Sequence, residues 1–301
     1  MSEKIVTIPR RYVIIIVGFF MLFQIIGFVL AILSFIEIRA INQIIELQSS
    51  NLVTPIPIGY SSFQPITDNS QWAPIEKEFD GIPMVLVPVG CFEMGSVERD
   101  TEQPIQQICF KEPFWIDKYE VTQSQFSRLN GQKEQPNAFV GDSRPIESIT
   151  WYEAKTFCEL RGLKLPSEAE WEYSSRGPSN LIYAWGNEFF SNAVVFGESK
   201  GDNAVTVATR SVGSRSDGVS WVGAFDMNGN VWEWTSSIYQ PYPYDKLDGR
   251  ENSASSNNRV RRGGSWSNLV PEELQSSYRN DYPPNQGFED IGFRCLGEYT
   301  G

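Results

Sequence analysis

Histidine is absent: none of the 301 residues carries an imidazole. Ser-His-Asp hydrolysis needs that group as its base and Cys-His chemistry needs it as a partner, so both are excluded. Zinc and non-haem iron sites lean on the same ring nitrogens and go with them. Basic charge is also scarce. Lys and Arg number 25 against 37 Asp and Glu, a net charge of −12, and the pI is near 4.7. Phosphate backbones demand a basic surface, so this balance argues against a nucleic-acid partner.

One long apolar run is present. Residues 12–36 hold no formal charge, and Gln24 is their one strongly polar side chain. As a helix they would span about 37 Å, more than the roughly 30 Å of a bilayer's hydrocarbon core. A cleaved secretory signal has an apolar region of about 7–15 residues ending in small residues. Here the run is longer, and Ser34-Phe35-Ile36-Glu37 is a poor cleavage site. The run reads as an uncleaved signal anchor, a transmembrane helix.

Orientation follows from the flanks. Lys4, Arg10 and Arg11 precede the span, while Glu37, Arg39 and Glu46 follow it. The positive-inside rule keeps residues 1–11 as a cytoplasmic tail and puts everything after Ile36 outside, in the periplasm or on the cell surface. Four cysteines delivered to an oxidising compartment read as two disulfides, though spacing alone leaves three connectivities open. Ile38, Ile41, Ile44, Ile45 and Leu47 keep a near-helical period, so the helix continues as a short stalk rather than forming a dimerising seam. Residues 51–80, with Pro55, Pro57, Pro65 and Pro74 among Ser, Asn and Thr, read as a linker, which makes 37–80 stalk plus linker.

Residues 81–301 suit one domain with a single core. Strand-like stretches are short: Met84 to Val89, Ile105 to Ile116 and Gly292 to Leu296. Capping boxes announce three helices, at Thr122 with Gln125, Thr150 with Glu153 and Ser167 with Glu170. The second runs to about Arg161, where Gly162 sits at a C′ position. After Gly177 periodicity fades, so that region needs buried aromatics, disulfides or ions to hold it. The expectation is α+β with many loops. Trp151, Trp171, Trp185, Trp221, Trp232, Trp234 and Trp266 read as core anchors rather than a carbohydrate-stacking platform.

The specific signal is a series of blocks. Gly90-Cys-Phe-Glu-Met-Gly-Ser96 and Phe114-Trp-Ile-Asp-Lys-Tyr-Glu-Val-Thr122 come first. Then come Arg161-Gly-Leu-Lys-Leu-Pro-Ser-Glu-Ala-Glu-Trp-Glu-Tyr173, Tyr183-Ala-Trp-Gly186 and Asn228-Gly-Asn-Val-Trp-Glu-Trp-Thr235. Arg259-Val-Arg-Arg-Gly-Gly-Ser-Trp266 and Gly292-Phe-Arg-Cys295 close the series. In this order, from Gly81 to Glu298, they resemble the sulfatase-modifying-factor family founded on the formylglycine-generating enzyme. The resemblance implies a C-type lectin-like fold, and disulfides Cys158–Cys295 and Cys91–Cys109. It also implies a calcium held by Asp226, Glu233 and the carbonyls of Gly229 and Val231. Those oxygens suit calcium, which takes about six to eight. The family's second calcium site, which would fall around Asn192 and Asp202, does not carry over, because the loop differs.

At one place the family pattern fails. The founding enzyme binds copper(I) with two cysteines shortly after its Gly-Gly-Ser-aromatic motif, and soft thiolates are what copper(I) requires. Here the first would fall at Asn268, and no residue from Ser267 to Arg294 is Cys. Formylglycine generation and copper are therefore not expected, and no catalytic residue is assigned. A recognition module for a protein, peptide or glycan is preferred over a copper-independent enzyme acting on a peptide or metabolite. Residues Arg259 to Cys295 also resemble the variable region of diversity-generating retroelement proteins. On that sub-case Asn268, Glu272, Gln275, Tyr278, Asp281 and Tyr282 would form the ligand-binding surface. Arg279 and Arg294 read first as buried bidentate ion pairs that hold the end segment, and second as anion binders. Protease added to cells stripped of any outer barrier is expected to digest the large domain; digestion only after lysis would reverse the topology.

Overall fold

The structure is a computed structural model that describes residues 64–197, 199–200, 204–205 and 208–300. The expected anchor at 12–36 lies outside the described residues, among which no helix is long and apolar enough to cross a membrane. The first sheet is built from β1 (Glu76–Phe79), β2 (Ile82–Val87), β5 (Phe114–Asp117) and β12 (Leu296–Glu298), side by side in that order and antiparallel. Between its second and third members β3 (Gly90–Met94) and β4 (Gln106–Phe110) form a hairpin. Both faces of the sheet are covered, which explains the unbroken apolar run in β2. Val85 and Val87 join one core cluster, and Met84 and Leu86 join another with Trp115.

Three helices begin where the capping boxes lie: α1 (Gln123–Arg128), α2 (Trp151–Leu160) and α3 (Glu168–Arg176). In each box the hydroxyl accepts from the N3 amide while the N3 side chain reaches back. Gly162 follows α2 at φ 69°. A short ribbon, β6 (Ser199–Lys200) with β7 (Ala204–Val205), comes next. The second sheet has the order β10 (Arg279–Tyr282), β9 (Arg259–Arg262), β8 (Trp232–Ile238) and β11 (Ile291–Gly292), with β11 parallel to β8. Trp171 and Tyr173 of α3 sit in one core, while Trp151 and Phe157 of α2 meet Trp232, Trp234 and Phe293 in another.

Several expectations are corrected. The linker ends earlier than residue 80: the Ile66 amide donates to the Val89 carbonyl (2.9 Å), Asn69 exchanges hydrogen bonds with Ser179 and Arg176, and β1 is a sheet member. Ile105 to Ile116 is two strands, broken at Lys111-Glu112-Pro113. Gly292 to Leu296 divides between β11 and β12, because the Cys295 amide leaves the ladder and donates to the Asp117 carboxylate (2.8 Å). Strand β8 runs for seven residues, with a register shift between Trp234 and Ile238, although it lies in the region read as irregular. Of the seven tryptophans all are buried except Trp185, which is half-buried. Six of the seven ring N–H groups are tethered, among them Trp151 to the Thr235 carbonyl (2.7 Å) and Trp234 to the Ile149 carbonyl (3.0 Å).

Both implied disulfides are present. Cys91 and Cys109 are register partners in the hairpin, 18 residues apart. Cys158 ties α2 to the segment before β12, 137 residues away. A loop-entropy account gives about 3 and about 5 kcal/mol for loops of these sizes. Replacing Cys158 and Cys295 by Ala is therefore expected to lower the denaturation midpoint more than replacing Cys91 and Cys109; the reverse order in urea titrations would contradict this.

Candidate functional site

The second sheet sorts its side chains by register. Glu233 pairs with Arg262, and Arg262 with Arg279, so these three share one face; Trp234, Arg261 and Asn280 share the other. The first face turns inward onto α3. Arg279 makes a bidentate pair with Glu168 (2.7 and 2.8 Å) and donates to the Gln240 carbonyl. Arg262 pairs with Glu172 and also takes the carbonyls of Ser276, Ser277 and Tyr278. Burial alone would raise the Glu168 carboxyl, but Arg279 and Arg262 beside it outweigh burial and hold it below its ordinary value. Arg294 closes a second bidentate pair with Glu233 (2.7 and 2.6 Å). Both arginines thus take the ion-pair role expected of them.

The other face forms the candidate recognition surface. The Arg99 guanidinium lies 4.6 Å over the Tyr278 ring and donates to Gln275 (3.3 Å) and to the Glu272 carbonyl (3.0 Å). Tyr278 meets Trp232 at 5.8 Å. Arg261 lies over both Trp232 (4.8 Å) and Tyr282 (5.0 Å), and Tyr282 meets Phe288 edge-on at 5.3 Å. One continuous patch thus joins Gln275, Tyr278 and Tyr282. Glu272 is at its rim, with an exposed side chain. Asp281 turns elsewhere and accepts from Asn258 (2.5 Å). Asn268 is turned inward on its own segment, where its Oδ1 accepts from the Ser265 amide (2.8 Å) and its Nδ2 donates to Glu273 (2.7 Å). It closes the turn after Gly264, whose φ of 74° and tight approach to the Leu274 side chain require glycine. Arg99, Arg261, Trp232 and Phe288 were not among the expected binding residues. Arg99 reaches the patch from a distant loop, and nothing in Arg259-Val-Arg-Arg distinguishes the outward arginine from its neighbours.

The expected calcium donors lie in one loop and strand. Asp226, Gly229 and Asn230 have φ of 55°, 84° and 58°. A Cβ on Gly229 would meet the Val195 carbonyl at 2.4 Å, so glycine is required there. Asp226 accepts from the Gly213 amide (2.6 Å); Glu120, buried nearby, accepts from Asn230 (2.5 Å) and the Val231 amide (3.0 Å). Glu233 already accepts from Arg294 and from the Trp171 ring N–H (2.7 Å), so Asp226 is the less encumbered of the two expected carboxylates. Burial pushes the Asp226 carboxyl up to about 6, and burial with the Asp226 and Glu233 charges raises Glu120 well above its ordinary value. Ionised, these three acids face the Arg294 guanidinium, with Arg215 acting on Asp226 as well. Oxygen donors with an excess of buried negative charge fit a hard divalent cation. Among the described residues no three acidic side chains could hold a metal by themselves, so the Gly229 and Val231 carbonyls would have to contribute.

Residues 71–299 match the sulfatase-modifying factor enzyme 1-like domain. The chain belongs to that family. Mouse inactive C-alpha-formylglycine-generating enzyme 2 is 32% identical over 281 residues, covering 70% of this chain and 84% of its own. Among solved structures, Treponema denticola variable protein 1 superposes with a TM-score of 0.63 at 20% identity, covering 75% of this chain and 100% of its own. PvdO from Pseudomonas aeruginosa gives 0.60 at 24% identity, with 76% and 100% covered. The fold is the C-type lectin-like fold of the sulfatase-modifying-factor family. Within it all four cysteines are paired and no thiol is free.

Breaking the Glu168–Arg279 pair leaves a buried guanidinium, and removing one partner of such a pair costs about 3–5 kcal/mol. Glu168→Gln is expected to lose that much in urea denaturation at neutral pH. Because the folded carboxyl is held low, its stabilisation is full above the ordinary value of 4.5 and is lost as pH falls below it. The acid limb of the stability curve should therefore be shallower in the variant; parallel limbs would contradict the assignment.

Proposed function

We propose that this chain is a membrane-anchored, extracytoplasmic member of the family that recognises a ligand and makes no formylglycine. The observation that carries the reading is at the Gly-Gly-Ser-Trp turn. Asn268 stands where the first copper-binding thiol would be, and the chain's only four sulfhydryl groups are taken by disulfides. An amide offers a hard oxygen and a weak nitrogen, neither of which replaces a thiolate toward copper(I). The mouse relative is named inactive, which supports a scaffold kept without that chemistry. The variable protein from Treponema denticola shares the fold, and a variable ligand-binding protein remains the sub-case of this reading. The anchor and location rest on residues 12–36 and their flanks.

Calcium is part of the proposal. Asp226 with the Gly229 and Val231 carbonyls would hold it, Glu233 contributing from its pair with Arg294. When bound it supplies positive charge against the buried acids. A ligand confined to the folded state at a hundredfold excess over its Kd adds about 2.7 kcal/mol. Chelator is expected to lower the Tm of the wild type and to leave Asp226→Asn nearly unmoved; equal shifts in both would remove calcium from this loop.

Catalysis and binding are tested separately. Incubated with a sulfatase-type cysteine peptide, copper and oxygen, the protein should leave the peptide mass unchanged, and an aldehyde product would end the non-catalytic reading. Tyr278→Ala and Tyr282→Ala should each weaken retention of a captured partner, since truncated aromatic anchors commonly cost more than about 1 kcal/mol. Undiminished retention in both would place binding on another surface.

A further inference from the structure

The arginines of strand β9 each leave a buried Nε without an acceptor, but two of the three use their Nη groups fully. Arg259 donates to three backbone carbonyls, and Arg262 to three carbonyls and Glu172. Arg261, between them on the outer face, donates no side-chain hydrogen bond to any described residue. Its Nε is fully buried with no acceptor. The nearest acid is Asp290, whose oxygen lies 3.9 Å from Nη1, beyond hydrogen-bond range. Asp290 is engaged elsewhere, accepting from the Ser267 hydroxyl at 2.9 Å and the Ser265 hydroxyl at 3.2 Å.

An arginine left in that state is unusual, because an unpaired buried donor forfeits its hydration without recovering a bond. Stacking compensates in part. The guanidinium faces the Trp232 and Tyr282 rings, and its side chain keeps 14% of its surface exposed. Stacked contacts engage the face of a guanidinium and leave its edge of N–H donors for an acceptor in the plane. Burial also pushes the group down from its ordinary value, with Asp290 and Tyr282 opposing. The protein therefore maintains an oriented cation whose hydrogen-bonding edge is unused.

Resting on the recognition reading above, we propose that Arg261 anchors a carboxylate of a peptide ligand, with the Tyr278, Tyr282 and Phe288 rings receiving the apolar side chains beside it. A planar fork of N–H donors matches the two oxygens of a carboxylate. Asp281 and Asp290 add negative charge around the guanidinium, which favours a singly charged carboxylate over a doubly charged phosphate. Phe288, half exposed against Tyr282, offers sugar hydroxyls no partner and suits a peptide's apolar side chain.

The test uses the full chain in detergent micelles, exposed to an immobilised heptapeptide library made with free-acid and with amidated C-termini, and to an array of sialylated and sulfated glycans. Retained peptides should carry Asp, Glu or a free C-terminus. Amidating the terminus, or exchanging Asp for Asn and Glu for Gln, should cut affinity about tenfold or more and identify which carboxylate is used. Arg261→Met should produce the same loss while changing the Tm little, since it removes no hydrogen bond to any described residue and a methionine side chain can keep the contact with the Trp232 and Tyr282 rings; a purely structural arginine would instead lower the Tm with no effect on binding. Carboxylate peptides bound equally by Arg261→Met would overturn the anchor. Retained peptides that lack a carboxylate but depend on Tyr278 would overturn it too, while leaving the recognition face intact. Binding indifferent to Arg261, Tyr278 and Tyr282 alike would overturn both readings. Retention of glycans in place of peptides, or of neither, would overturn the peptide assignment.

Discussion

The buried lattice between α3 and the second sheet is the constraint on which the rest depends. Glu168 and Glu172 stand one helical turn apart on α3, and the strands opposite present Arg279 and Arg262 to them. Such pairs do little for net stability, because the desolvation of each ion offsets much of the attraction. Their effect is positional. The chain from Gly263 to Arg279 has few ladder bonds of its own, and Arg262 gathers the carbonyls of Ser276, Ser277 and Tyr278 onto one fixed cation. The backbone there cannot drift without leaving charges unpaired in the core.

That fixed backbone determines what the outer face presents. Side chains alternate along a strand, so holding Arg262 and Arg279 inward turns Arg261, Tyr278 and Tyr282 outward. A register slip of one residue would bury the aromatic patch and expose the ion pairs, at the cost of several buried charges. The internal lattice and the external patch are two consequences of one register. The disulfide from Cys158 to Cys295 and the Arg294–Glu233 pair pin the other end of the same segment.

How far this could be read from sequence depended on the range of the cause. The capping boxes are local, set by side chains three residues apart, and all three helices start where Thr122, Thr150 and Ser167 predicted. The disulfides and the fold came through the order of motifs, as resemblance. Strand β8 was hidden because Asn228 to Thr235 reads equally as an oxygen-rich loop, and only its partners β9 and β11 show it to be extended. The break before β12 depends on Asp117, far away in sequence, capturing the Cys295 amide. Which arginine of Arg259-Val-Arg-Arg makes no side-chain hydrogen bond to a described residue is a question of long-range register, and no local pattern contains it.

The turn after Gly264 shows why a recognition role suits this scaffold. A pair of cysteines there would supply the soft thiolates that copper(I) takes as ligands. Asn268 introduces no charge: it accepts from Ser265, donates to Glu273, and so closes the turn with groups of its own segment. The segment that follows is held by Arg262 and Arg279 through backbone carbonyls and α3 carboxylates, rather than through its own outward side chains. Outward positions can then change with little effect on folding, since surface substitutions away from such features usually stay within about 0.5 kcal/mol. A turn closed by Asn268 and a backbone anchored from within are what the proposed recognition role requires of this face.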